Sequence, residues 1–169
     1  MNIIICEDDK IHLHFIKNCI EEIICTELLK CKISLCTTSC DKVLDYIENN
    51  TLLTLYFLDI DLKSDIDGLN IASKIREKDW SSFIVFITGL KDKVSLTFEY
   101  KLEVMDYIDK CHPEISSKIK ECVLLAYSRE DKANKDFITL SNKYSKICIK
   151  RKDIYYLESI KGTHKIIFC

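Results

Sequence analysis

The chain has 169 residues, 47% of them hydrophobic and 31% charged, with a formal net charge of −2. That length holds one ordinary domain and a remainder, the composition reads as soluble and globular, and no apolar run is long enough to span a bilayer. The N-terminus opens directly on Asn2-Ile3-Ile4-Ile5-Cys6, without the basic start and apolar core of a secretory signal, so a cytoplasmic location is expected.

Charge is unevenly divided. Residues 1–125 carry 15 Lys and Arg against 22 Asp and Glu, while residues 126–169 carry 10 against 5. An acidic body with a basic tail points to nucleic acid on the tail side, or to a plainly solvated tail. Ten cysteines raise the question of metal or disulfides. The densest group, Cys25, Cys31, Cys36 and Cys40, has no C-x-x-C pair and no histidine nearby, a spacing that fits no zinc ribbon or finger. Cys6 and Cys36 lie in apolar runs, and Cys19, Cys25 and Cys122 in helical patterns, where reduced cysteine packs as a small hydrophobe. Redox sensing is the alternative use.

In chain order, a first strand over Ile3–Cys6 runs straight into Glu7-Asp8-Asp9. A helix is predicted from Lys10 to Ile24, because Ile16, Cys19, Ile20, Ile23 and Ile24 keep the three-and-four spacing of one buried face. Ile33–Cys36 reads as a second strand, and Ser39 as the cap of a helix that carries Val43, Leu44 and Ile47 inward until Asn49-Asn50. Leu52–Leu58 is an almost unbroken apolar run, expected of a strand buried on both faces, and it stops at Asp59. After the polar loop 63–68, Gly68 is expected to relax the backbone ahead of a helix over Leu69–Arg76. Phe83–Ile87 is another buried strand, ending in Thr88-Gly89; a helix over 94–101 and a short strand over Val104–Ile108 follow, the latter ending at Asp109-Lys110. Pro113 suits the start of a last helix whose inward face is Ile115, Ile119, Cys122, Val123 and Ala126.

This alternation predicts an α/β fold: a doubly wound, five-stranded parallel sheet covered by helices on both faces. The predicted first domain spans residues 1–127. Residues 128–135, charged and poor in apolar groups, are expected to link it to residues 136–169. There the period changes to two, in Phe137–Leu140, Ile147–Lys150, Ile154–Glu158 and Lys165–Phe168. These are antiparallel strands of an incomplete β domain, too short to fold alone.

In such sheets ligands bind just beyond the carboxyl ends of the strands. Glu7, Asp8 and Asp59 are expected to meet there and repel one another, which a divalent cation resolves. Oxygen-only ligands, with the backbone carbonyl of Asp61 adding one more, describe a magnesium site. Thr88 supplies a hydroxyl with room beside Gly89, and Lys110 a fixed positive charge. Carboxylate, metal, hydroxyl and ammonium match the needs of phosphoryl transfer to Asp59.

That pattern resembles the receiver domain of two-component response regulators, a flavodoxin-like fold, over roughly residues 1–127. The resemblance implies a magnesium-holding acidic pair at Glu7 and Asp8 and a phospho-accepting Asp59. It further implies a phosphoryl-contacting hydroxyl at Thr88, an aromatic switch at Tyr107 and the family lysine at Lys110. Cys6-Glu7-Asp8-Asp9, Tyr56-Phe57-Leu58-Asp59-Ile60 and Leu96-Thr97-Phe98-Glu99-Tyr100-Lys101 are similar to the accessory gene regulator A proteins of Gram-positive quorum sensing. In that group a LytTR DNA-binding domain follows the receiver. Asp153–Ser159 and Lys161–Lys165 resemble its opening, with His164 where the family places a DNA-contacting histidine.

The implied partners are a membrane sensor histidine kinase, promoter DNA for the full-length protein but not for residues 1–169 alone, and a second copy of the chain after phosphorylation. The implied activity is self-catalysed phosphate acceptance rather than turnover. In two respects the sequence departs from the family: Cys111 stands where most receivers place proline after the lysine, and most of a LytTR domain is absent. Two other readings fit part of the pattern. Asp59-Ile60-Asp61 mimics the D-x-D motif of haloacid-dehalogenase-type phosphatases, whose acidic pair, however, follows the lysine; a pseudo-receiver would keep the fold and never take phosphate.

Overall fold

Ile3, Ile4 and Ile5 are consecutive and each is 0% exposed, which requires a strand covered on both faces. They belong to β1 (Asn2–Cys6), one of five parallel strands with β2 (Lys32–Thr37), β3 (Thr54–Leu58), β4 (Phe83–Thr88) and β5 (Asp106–Asp109), in the order β2-β1-β3-β4-β5. The computed structural model describes residues 1–63, 66–89, 100–135, 137–141, 146–150, 154, 157–159 and 166–168. The fold is the doubly wound α/β sheet expected.

Successive strand residues point to opposite faces, and two separate cores result. Ile4, Cys6, Tyr56, Leu58, Ile84 and Phe86 pack with α2 (Cys40–Asn49) and α3 (Gly68–Lys78). Ile3, Ile5, Leu55, Phe57, Val85, Ile87 and Ile108 pack with α1 (Lys10–Thr26) and α4 (Ile115–Lys135). Every buried residue of α1, namely Leu13, Ile16, Ile20 and Ile23, falls on one helical stripe. On α4 the stripe is Ile119, Cys122, Val123 and Ala126, with Ile115 partly buried beside them.

Several boundaries differ from the sequence expectation. Leu52 is 62% exposed, and β3 starts only at Thr54. Ser39 occupies the cap position of α2 but makes no side-chain capping hydrogen bond; its amide instead donates to the Thr37 hydroxyl at 3.0 Å. β5 begins at Asp106 rather than Val104, because residues 101–103 turn sharply, with φ of 51° at Lys101 and 45° at Glu103. Arg76 holds that turn: its guanidinium donates to the carbonyls of Leu102, Glu103, Asp79 and Ser82. Residues 128–135 are helical, the last turns of α4, since neither Gly nor Pro interrupts 114–135 and a charged sequence makes a solvated helix. Of the helix predicted over 94–101, residues 94–99 lie outside the described residues, and Tyr100 and Lys101 form a turn.

Two compact units are distinguished, Met1–Tyr127 and Ser128–Cys169. In the second, β6 (Phe137–Ser141) pairs antiparallel with β7 (Lys146–Lys150), and β8 (Leu157–Ser159) with β9 (Ile166–Phe168). Ile154 is outside a strand, and Tyr155, Tyr156 and Lys165 are outside the described residues. No helix among the described residues is long and apolar enough to cross a membrane.

Candidate functional site

Three side chains singled out in the sequence leave the sheet at one edge, each from the residue after a strand. Glu7 follows β1, Asp59 follows β3 and Lys110 follows β5, while Thr88 is the last residue of β4. Their backbones are tied across the sheet: the Glu7 amide donates to Thr37 O at 3.2 Å, that of Asp59 to Cys6 O at 2.9 Å, and that of Lys110 to Thr88 O at 3.1 Å. The ladder thus continues one residue past the strands and fixes where each side chain starts.

Lys110 Nζ bridges the two buried acids, 2.7 Å from Glu7 Oε1 and 2.7 Å from Asp59 Oδ2. Asp59 Oδ1 accepts from the Asp61 amide at 3.1 Å. Glu7 Oε1 also accepts from the Asp9 amide at 3.3 Å, whereas Glu7 Oε2 is buried with no hydrogen-bond partner among the described residues. Asp8, half-buried, pairs with the exposed Lys63 at 3.1 Å. Asp9, the third acid of the run, is spent on α1: its Oδ1 accepts from the amides of Ile11 and His12.

Burial pushes the Glu7 carboxyl up, Lys110 pulls it back down and the neighbouring Asp59 charge raises it again; the net direction is upward. For Lys110 burial acts downward, but the hydrogen bonds to Asp59 and Glu7 outweigh it and the ammonium is held above its usual range.

Carboxylate oxygens of Glu7, Asp8 and Asp59 lie within 4.8 Å of one another. Receiver-type magnesium sites are acidic, and this donor set fits one on two counts. The donors are all oxygen, as a hard divalent cation requires. The orphaned Glu7 Oε2 is a buried acceptor that a cation or its water would satisfy. Asp61 meets Asp59 through its amide, and its own side chain is exposed, outside the acidic cluster.

Thr88 is 0% exposed, and among the described residues nothing lies within 4 Å of where a Cβ on Gly89 would be. Tyr107 pairs in register with Phe86 on the α2 and α3 face of the sheet, the face that Thr88 shares by alternation. His164 lies outside the described residues. Two contributors escaped sequence reasoning. Lys63 is a loop lysine that no periodicity connects to Asp8. Gly68 serves close approach rather than backbone freedom: a Cβ there would lie 2.0 Å from Asp59 O.

The response regulator receiver domain family matches residues 3–120. Accessory gene regulator protein A of Staphylococcus aureus (strain N315) is 33% identical over 99% of this chain and 72% of its own length. The protein of the same name from Staphylococcus epidermidis (strain RP62A) is 31% identical over the same shares. Among solved structures, the response regulatory domain of protein mrkE from Klebsiella pneumoniae superposes with a TM-score of 0.66 at 26% identity, covering 78% of this chain and 99% of that one.

Proposed function

The chain belongs to the response regulator receiver family, and from that premise we propose that Asp59 takes a phosphoryl group from a sensor histidine kinase and so controls transcription. The observation that carries this reading is the Lys110 bridge: one ammonium 2.7 Å from both Glu7 and Asp59, at the sheet edge, beside an unpartnered Glu7 Oε2. A buried pair of carboxylates sharing one lysine gives the phosphoryl group a nucleophile and a charge partner at the same edge.

An Asp59 carboxylate oxygen attacks phosphorus in line, the P–N bond to the donor imidazole breaks, and the leaving nitrogen keeps the electron pair. Lys110, already on Asp59 Oδ2, turns its remaining donor toward the developing phosphoryl charge. Glu7 holds the other side of Lys110 and keeps the ammonium in place. Glu7, Asp8, Asp59 and the Asp61 carbonyl would hold magnesium, which when bound would supply positive charge for the phosphoryl oxygens. The Thr88 hydroxyl then closes on the phosphoryl group and Tyr107, on the same face, follows it inward. That biases the surface around β5 toward a homodimer. Phosphate is taken up stoichiometrically, without turnover.

On this reading residues 1–127 are the receiver, 128–135 a helical connection and 136–169 the opening of a LytTR-type DNA-binding domain, with His164 as its DNA-contacting histidine. The relatives' shared length and the basic charge of residues 126–169 support it. The location is cytoplasmic. The test is labelling with acetyl phosphate and magnesium: wild type gains one phosphoryl group, and Asp59→Asn gains none. Equal labelling of the two would remove Asp59 from the chemistry, and no labelling of either would leave a binding module.

A further inference from the structure

Between the end of β5 and the start of α4 every backbone amide has an acceptor. The Lys110 amide donates to Thr88 O at 3.1 Å, that of Cys111 to the Asp109 carboxylate (Oδ1) at 2.9 Å, and that of His112 to Asp109 O at 2.9 Å. Pro113 has no amide. Those of Glu114 and Ile115 donate to His112, at 3.0 Å to Nδ1 and at 3.1 Å to its carbonyl. One motif therefore occurs twice in tandem. A side chain takes the amide two residues on, and the carbonyl of the same residue takes the amide three residues on, as in an Asx turn. Cys111 supplies an amide that a proline at that position would lack.

Lys110 is the second residue of the first turn. Asp109, which opens that turn, is fixed as the last residue of β5, in register with Thr88. His112, which closes it, opens the second turn and leads into α4. The ammonium must reach Glu7 and Asp59 together, 2.7 Å from each. A lysine stem is flexible and carries about 2 kcal/mol of rotamer entropy. The place and direction of its Cα–Cβ bond decide which stem conformations meet both acids. Without the Asp109 carboxylate, one of the two bonds that close the turn around Lys110 is gone.

We infer that Asp109 and His112 are positioning residues for Lys110: by capping consecutive turns, their side chains hold the loop so that one ammonium meets both buried acids. The consequence for phosphate uptake rests on the phosphoacceptor reading above; the consequence for where Lys110 sits does not.

Two measurements on the full chain test this: acetylation of lysines by an amine-specific reagent, mapped by peptide mass spectrometry, and phosphate uptake from acetyl phosphate with magnesium. In the wild type the Lys110 side chain is 15% exposed and reacts slowly. In Asp109→Ala it should be acetylated several-fold faster, while the more exposed Lys17 and Lys74 keep their rates. Phosphorylation at saturating acetyl phosphate should slow about tenfold with the half-saturating concentration unchanged, a smaller loss than the roughly hundredfold of a 1 Å misplacement. Asp109→Asn gives up the charge but keeps the acceptor, and should restore both readings. If Asp109→Ala fails to fold, His112→Ala takes its place with the same expectation, and His112→Asn, a good capping residue, is its rescue. Lys110 acetylated at the wild-type rate in the alanine variant, or just as fast in the asparagine variant as in the alanine one, would overturn the assignment. Faster acetylation with unchanged phosphorylation would overturn the catalytic consequence. A wild-type chain that takes up no phosphate counts against the phosphoacceptor reading instead, and the acetylation pattern alone then decides what positions Lys110.

Discussion

Lys110 and Arg76 are cations withdrawn from solvent in the same unit, and they are held in opposite ways. Among the described residues Arg76, 5% exposed, donates to neutral carbonyls, those of Leu102, Glu103, Asp79 and Ser82, and its guanidinium lies over the Trp80 ring, 5.9 Å from the centroid. Lys110 donates to two carboxylates, and a third acid, Asp8, stands within the same cluster. Around Arg76 the acceptors are neutral carbonyls, which the planar fork engages at several points. Around Lys110 there is more negative charge than one ammonium balances, and one oxygen is left over. The first arrangement fixes a turn. The second leaves a buried carboxylate oxygen that a further positive group would satisfy.

The largest effect that sharpens this contrast is expected from Lys110→Ala. Phosphorylation by acetyl phosphate should slow by two to three orders of magnitude, on the order of what a lost charge-stabilising donor costs. The variant should also lose stability without magnesium and regain it with magnesium, by mass action. Labelling at the wild-type rate would break the comparison.

Arg76→Ala should do the reverse. Several carbonyls lose their donor at once, and the expected cost is about 3 kcal/mol or more in urea unfolding. Magnesium should not recover it, and the folded fraction should label normally. A loss below about 1 kcal/mol would place Arg76 among ordinary surface residues.

Gly68→Ala lies between the two. The new Cβ would meet Asp59 O at 2.0 Å, so the start of α3 or the turn after β3 must shift. About 1–3 kcal/mol of destabilisation is expected, together with weaker magnesium binding in titration calorimetry, because the clash falls on the backbone that carries Asp59.

The smallest effect should come from Asp79, beside Arg76. Burial raises its carboxyl, but hydrogen bonds from the Ser81 and Ser82 hydroxyls and amides outweigh that, and the net direction is downward. A carboxyl lower in the folded than in the unfolded chain adds stability above its unfolded value of about 3.9 and loses it as pH falls through the folded one. The stability gap between wild type and Asp79→Asn should therefore be full near neutral pH and close below about pH 4. A gap that widens in acid would contradict the assignment.

Much of the edge was legible in the sequence because Glu7, Asp59 and Thr88 each end an apolar run. Ile3–Cys6, Leu52–Leu58 and Phe83–Ile87 announce buried strands, and the polar residue that stops each one has to emerge at the same rim. Thr88 and Asp59 are placed by that logic alone. What was not legible depends on contacts between distant segments. Arg76 stands out in the sequence only as the last residue of a predicted helix, and nothing nearby reveals the carbonyls of Leu102 and Glu103. Gly68 looks like a hinge because the Asp59 carbonyl it makes room for belongs to another segment. The sharp turn at Lys101 and Glu103 needs left-handed backbone from residues that seldom adopt it, so Val104 and Met105 looked like strand. Residues 128–135 looked like a linker because solvated helix and loop share the same charged composition.

The most direct test is to find where the phosphoryl group is attached. The chain is phosphorylated with acetyl phosphate and magnesium, the acyl phosphate is reduced with borohydride, and the resulting homoserine is located by peptide sequencing. Homoserine at position 59 alone is the predicted result. Homoserine at position 8 or 61, or its appearance in Asp59→Asn, would contradict the assignment of Asp59 as the acceptor.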